Sequence, residues 1–185
     1  MPVRLRRRRR DRERPLRQRI PLTQAISRLV HTHHEWANQY RDDMSCVFCA
    51  IVAGEAPAIR IYEDDDYLAI LDIRPFTRGH TLVLPKRHTA DLTDTPPQTL
   101  AELITIGQRI ARAARATELA DATNIGINDG RAAFQSVFHI HLHMLPRRNG
   151  DKLSVAKGLV LRRDPDREAT GALLRDALAR IDASQ

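Results

Sequence analysis

The sequence predicts an α+β domain built on a mainly antiparallel sheet. Hydrophobic residues make up 42% of the 185, enough for a core, and aromatics only 4%, so that core is aliphatic. Three strand-like segments precede one long amphipathic segment and two follow it. That grouping suits an antiparallel sheet with separate helices better than a doubly wound parallel one. Neither an internal repeat nor a Gly-rich phosphate loop is present.

The globular texture begins at Cys46. Ala58 to Tyr62 reads as a strand, followed by the acidic turn Glu63 to Asp66. Tyr67 to Ile73 is a second strand, and Gly79 to Lys86 a third, ended by Pro85 and a basic pair. Asp94 to Pro97 has the composition of a helix start. After it, Leu100, Leu103, Ile104, Ile110, Ala111 and Ala114 trace one helical face. Asn124 to Asn128 is a fourth strand, with Asp129-Gly130 as a turn signal. Val137 to Leu145 is a fifth. Asp166 opens a last helix that presents Leu173, Leu174, Ala177, Leu178 and Ile181 on one face.

Charge divides the chain. Residues 1–45 hold 12 Arg, no Lys and 5 acids, a net +7, and the remaining 18 basic and 18 acidic residues cancel. The basic character therefore belongs to the N-terminal segment and does not mark a polyanion-binding surface on the main body. Arg4 to Arg19 is an arginine tract with few apolar residues and is expected to be disordered alone. It reads as a nucleic-acid-binding arm, as a solvated tail, or as sequence upstream of the working start. Met44-Ser45 directly precedes the first chemical motif and is a candidate start. The expected division is residues 1–43 as a basic extension, disordered or partly helical, and 44–185 as the domain. Within the extension, Ile26, Leu29, Val30, His33, Ala37 and Tyr40 recur at helical spacing. His31, His33 and His34 on it lack a Cys or acid partner at metal-ligand spacing, so a solvated helix is expected there.

Several classes are excluded. No apolar run approaches the ~20 residues of a membrane span. The basic N-terminus has no apolar region after it, so no secretory signal is expected. Two cysteines three apart cannot form a disulfide framework. A cytoplasmic location follows as the expectation.

The strongest chemical feature is His139-Ile140-His141-Leu142-His143-Met144-Leu145-Pro146. On a strand, alternate side chains share a face. His139, His141 and His143 would then project together, neighbours about 6.6–6.8 Å apart, while Ile140, Leu142 and Met144 fill the core. Histidine titrates near neutrality, binds metals and attacks electrophiles. A row of solvent-facing histidines is the bland alternative. The preceding Asn128-Asp129-Gly130 to Gln135-Ser136-Val137 argues against it. Amide, hydroxyl and backbone donors beside imidazoles suit a phosphate whose phosphorus one imidazole attacks.

Here the sequence resembles the histidine-triad (HIT) superfamily of nucleotide hydrolases and transferases, whose signature is His-φ-His-φ-His-φ-φ with φ hydrophobic. Residues 139–145 match it at every position. The upstream Asn-Asp-Gly and Gln-Ser-Val, Asp72 to Pro75, Gly79-His80 and Pro85 to His88 follow in family order. The resemblance covers about residues 46–150 and implies a HIT-like fold: a mainly antiparallel five-stranded sheet with one long helix and a C-terminal helix. It implies that His141 attacks the α-phosphorus of a nucleotide, forms a nucleotidyl-histidine, and releases a nucleoside monophosphate after water attack. His143 and Ser136 would hold phosphate oxygens or assist the leaving group, with Gln135 and Asn128 as further phosphate ligands. Asp72 would meet the ribose hydroxyls. The purine pocket would be Val47, Phe48, Ile51, Ile70 and Ile73, which read equally as ordinary core. The family is usually homodimeric, and the resemblance supplies no metal requirement for the chemical step. His80 is read as structural.

Cys46-Val47-Phe48-Cys49 can bite one zinc, but a tetrahedral site wants four ligands. His88 and His139 are the candidates that complete it. Bacterial family members with a Cys-x-x-Cys, and the related galactose-1-phosphate uridylyltransferases, resemble this arrangement. A zinc there would be structural, bracing the strand that carries His141. Two metal-free thiols or a redox pair are the alternatives, and the redox reading lacks its βαβ unit.

The branch is mixed. Pro146 to Asp151 resembles the fragile-histidine-triad hydrolases of diadenosine polyphosphates. The Cys-x-x-Cys, Asp72 and Ser136 resemble the Hint phosphoramidases, whose Trp-Pro-Pro-Gly tail is missing. The expected function is thus hydrolysis at the α-phosphate of an AMP-linked substrate, a phosphoramidate or a diadenosine polyphosphate. A nucleotidyl transferase, or a non-catalytic nucleotide-binding protein with a nucleic-acid-binding arm, are the alternatives.

Overall fold

The computed structural model describes residues 46–151 and 164–183. The arginine tract, the helix expected around residues 26–40 and its histidines lie outside them. The elements in order are α1 (Val47–Val52), β1 (Arg60–Glu63), β2 (Tyr67–Leu71), β3 (Thr81–Pro85), α2 (Pro97–Arg115), β4 (Ala122–Ile127), a 3-10 turn (Arg131–Ala133), β5 (Leu142–Arg147) and α3 (Arg167–Asp182).

Local chemistry accounts for the element ends. Asp64 Oδ1 accepts the N–H groups of Asp66 and Tyr67 at 2.9 and 2.7 Å, which closes the β1–β2 hairpin. Pro97 starts α2, where its missing N–H is no loss. Arg112 and Arg115 lie in that helix's last turn, where the dipole favours cations. Asp166 caps α3 by accepting from the Ala169 N–H at 3.0 Å.

The five strands form one sheet in the order β1-β2-β3-β5-β4, every neighbouring pair antiparallel. This is the expected architecture. Alternation along the strands sends side chains to two layers. On one face Ala69, Leu71, Val83, Leu142 and Met144 pack under α2 and α3, against Leu103, Ile106, Ile110, Leu174 and Leu178. On the other, Leu68, Ile70, Leu82 and Leu84 meet Phe48 and Ile51 of α1. Ile104, expected on the buried face of the long helix, is 50% exposed, and Ile106 is buried instead.

Strand ends differ from the sequence expectation where side chains or carbonyls compete with the ladder. The second strand stops at Leu71. Asp72 turns the chain, Oδ1 accepting from the Arg74 N–H at 2.7 Å. The fifth strand begins at Leu142, not near Val137. The Ile140 N–H leaves the ladder and donates to the Thr89 carbonyl at 2.7 Å, so His139 and His141 precede the paired strand.

Candidate active site and metal centre

The three triad histidines lie on the face of β5, and of the extended chain before it, that looks away from α2. Ile140, Leu142 and Met144 are wholly buried on the other side. The His141 and His143 ring centroids are only 4.8 Å apart, closer than the strand repeat, because the rings lean together. Phe48 packs edge-on against His141 at 5.0 Å and His139 at 5.8 Å.

Each imidazole has a defined partner. His141 Nδ1 donates to the backbone carbonyl of His139 at 2.7 Å. Among the described residues nothing hydrogen-bonds the Nε2 lone pair of His141. His139 Nε2 donates to the Pro85 carbonyl at 2.8 Å, leaving its Nδ1 as the acceptor. His143 Nε2 lies 3.4 Å from the Asn128 amide, and its Nδ1 lies 3.0 Å from Nε2 of His80.

Burial dominates their protonation. It pushes His139, His141 and His143 each down to about 4. The His139 carbonyl and Asp72 oppose the fall at His141, and Asp72 opposes it at His143. All three imidazoles are therefore neutral at pH 7.

The loop from Asn128 to Phe138 runs into this row. Gly130 has φ 79° and Phe134 φ 68°, a left-handed conformation that few non-glycine residues adopt. Gln135 is buried, and its amide holds the loop. It accepts from the Gly130 N–H at 2.8 Å and donates to the carbonyls of Ala90 at 2.7 Å and Val137 at 3.1 Å. Its side chain thus meets backbone, where the sequence suggested a direct phosphate ligand. Ser136 is exposed. Asp72 is half-buried, with Oδ2 3.3 Å from His80 Nδ1. Of the five apolar residues proposed for a base pocket, Phe48, Ile51 and Ile70 are buried in the α1-side cluster and Val47 packs at its edge. Ile73 is 52% exposed.

Cys46, Cys49, His88 and His139 converge, with one ligand atom from each lying within 4.8 Å of the others. Cys46 Sγ is 3.5 Å from His139 Nδ1, and Cys49 Sγ is 3.3 Å from His88 Nδ1 and 3.6 Å from His139 Nδ1. Tetrahedral zinc with ordinary bond lengths places sulfur and nitrogen ligands about 3.6 Å apart. The Pro85 carbonyl already holds His139 in the tautomer that aims a lone pair at the sulfurs. Donor types and spacing both fit zinc. With protein groups alone, burial and the neighbouring Cys46 push the Cys49 thiol up to about 11. A bound cation reverses that preference and favours thiolate.

His80, read from sequence as structural, is the residue whose neighbourhood the sequence did not reveal. Its position just ahead of an apolar strand was the available signal, and only folding shows that it meets His143. A concavity of about 440 Å³ lies elsewhere, lined by Tyr62, Asp64, Tyr67, Glu102 and Arg109 among others, and contains none of these groups. No helix among the described residues is long and apolar enough to cross a membrane.

The HIT domain family model matches residues 53–150. A HIT-like protein of Mycobacterium tuberculosis is 82% identical over 141 residues, 76% of this chain and 98% of that one. The adenosine 5′-monophosphoramidase of Saccharomyces cerevisiae is 34% identical over 142 residues, 77% of this chain and 86% of that one. The crystal structure of a Zn-bound histidine triad family protein from Mycobacterium smegmatis superposes with a TM-score of 0.71 at 69% identity, over 77% of this chain and 99% of that one.

Proposed function

The chain belongs to the HIT domain family, and from that membership we propose a nucleotide hydrolase acting at the α-phosphate of AMP-linked substrates. The observation that carries the proposal is the state of His141. It is buried and neutral, with its Nδ1 proton on the His139 carbonyl and its Nε2 lone pair without a partner among the described residues. A neutral imidazole with an available nitrogen is a competent nucleophile toward phosphorus.

In the first step, His141 Nε2 bonds to the α-phosphorus and the bond from phosphorus to the leaving nitrogen or oxygen breaks. The leaving group takes that electron pair and a proton from solvent, and the water that attacks next returns a proton to solvent. In the second, water attacks the same phosphorus and the N–P bond breaks. Neutral His141 returns, and the nucleoside monophosphate leaves with the water oxygen. His143 and Ser136 hold phosphate oxygens or assist departure. Asn128 is a further phosphate ligand. Gln135 sets the loop by bonding its backbone. Asp72 meets the ribose, and Val47, Phe48, Ile51, Ile70 and Ile73 receive the purine. The phosphoramidase activity named for the yeast relative favours a phosphoramidate over a diadenosine polyphosphate.

Cys46, Cys49, His88 and His139 would hold a structural zinc. When bound, the ion supplies a cross-link between α1, the corner after β3 and the segment before β5, and the phosphorus chemistry does not require it. A homodimer is part of the same reading. Strand β4 lies at the sheet edge with Ile125 39% exposed, and α2 shows Ile104. The location proposed is the cytoplasm.

The test is AMP release from an adenosine phosphoramidate, diadenosine tri- and tetraphosphate, and ADP, with His141→Asn as the control. Release that disappears in the variant supports the nucleophile, and the preferred substrate names the leaving group. Absence of release from every substrate, with AMP still bound, sinks the hydrolase and favours a transferase or nucleotide-binding role.

A further inference from the structure

Phe134 is the one non-glycine residue among those described that is held at positive φ, 68° with ψ 20°. The other four such positions are Gly54, Gly79, Gly130 and Gly150, and glycine adopts this conformation freely. A Phe there strains the backbone. Its ring is 86% exposed, so burial offsets little of that strain. Among the described residues the ring meets no other ring and no guanidinium, whereas Phe138 lies beneath Arg131 at 5.0 Å. Packing therefore gives no account of an aromatic side chain here, and strain of this kind collects at functional sites.

The loop that carries Phe134 is fixed at the triad. Strand β4 ends with Ile127 paired to Leu142, between His141 and His143. The next residue, Asn128, faces His143 Nε2 from 3.4 Å, and the loop rejoins the row at His139. Between these ends the Gln135 amide bonds Gly130, Ala90 and Val137. The backbone N–H groups of Phe134 and Gln135 donate to the carbonyls of Arg131 and Gly130 at 3.0 and 3.1 Å. Phe134 precedes this brace and Ser136 follows it, so one anchor sets both residues.

Displacement at phosphorus assigns the remaining space. Attacking and leaving atoms lie roughly in line, so the leaving group departs on the side opposite His141. The nucleoside side belongs to Asp72 and the α1 pocket, and Ser136 attends the phosphate or the departing atom. We propose, on the hydrolase reading, that Phe134 is a specificity-determining residue that stacks on a planar aromatic leaving group. The arylalkyl amine of a phosphoramidate and the second base of a dinucleoside polyphosphate share that chemistry. A saturated group of equal size gains apolar contact without the stacking.

Steady-state AMP release from two matched pairs tests this. One pair is the adenosine phosphoramidates of phenylpropylamine and cyclohexylpropylamine, alike in size and close in basicity. The other is diadenosine triphosphate and the γ-methyl ester of ATP, which lacks only the second nucleoside. In the wild type, kcat/KM should favour the aromatic member of one pair, and that pair names the source. Phe134→Gly relieves the backbone, so its thermal midpoint should hold or rise, while the aromatic preference falls about 3–10-fold. Phe134→Tyr should keep the preference. No preference in either pair, or one that survives in folded Phe134→Gly, would overturn the proposal. So would a change of oligomeric state in Phe134→Gly with the preference intact, which would assign the ring to a subunit contact. Binding to His141→Asn supplies a readout without turnover. The Phe134 ring protons, identified by their loss in Phe134→Gly, should shift upfield with the aromatic member and not with its match. Those shifts without AMP release from the wild type would sink the hydrolase and leave the stacking. AMP release without them would do the reverse.

Discussion

The backbone carbonyl of His139 accepts the Nδ1 proton of His141 at 2.7 Å, while the His139 ring turns its Nδ1 to Cys46 and Cys49. One residue therefore touches the sulfur cluster through its ring and orients the nucleophile through its carbonyl. Anything that frees the ring also loosens the carbonyl that selects the tautomer of His141.

Metal content and turnover are therefore expected to move together. The purified chain should carry about one zinc. Cys49→Ser should lose it, lower the thermal midpoint, and reduce kcat by about 10–100-fold. Metal analysis with steady-state kinetics checks this. Full activity in a zinc-free variant would separate the cluster from the histidine row.

Stability should fall with pH through a defined window. His141 and His143 are held near 4 in the folded chain against 6.5 when free. Between those values the unfolded chain takes up protons that the folded one refuses, so stability drops as pH falls from 6.5 toward 4 and levels off below. For one such imidazole the loss is about 3 kcal/mol. Urea unfolding at pH 7.5, 5.5 and 4 measures it, and a midpoint constant across that range would contradict the burial of these rings.

Gly107 lets α2 approach β5. A Cβ there would lie 2.8 Å from Leu142 Cδ2, and Leu142 is wholly buried between His141 and His143. Overpacking costs about 1–3 kcal/mol, against a helix-propensity gain of about 1 kcal/mol. Gly107→Ala should therefore be destabilised slightly and lose turnover more than stability. Denaturant titration and kinetics on one preparation compare the two losses.

Gln135 should matter as a brace. Gln135→Ala leaves the Gly130 N–H and two carbonyls without their partner. The expected cost is about 1–3 kcal/mol, with faster hydrogen exchange confined to residues 128–138. Exchange that rises uniformly over the sheet would point to a global effect instead.

The architecture was legible because it rests on short-range pattern. Alternation from Ile140 to Met144 separated a histidine face from a core face, and the strand and helix grouping implied an antiparallel sheet. Asp166 announced its helix through a side chain that caps locally. Strand limits were less legible, because Asp72 and the Ile140 N–H take partners other than the ladder.

Within the site, residue types determined the chemistry on offer: thiols, imidazoles, an amide-rich loop. Tertiary structure decided which nitrogen of each imidazole does what. His139 lies 93 residues from Cys46, and His143 lies 63 from His80, so folding alone sets these pairs. The groups that choose the tautomers of His141 and His139 are the carbonyls of His139 and Pro85. Backbone groups are the same at almost every position. Their direction belongs to the folded chain, and no side-chain pattern encodes it.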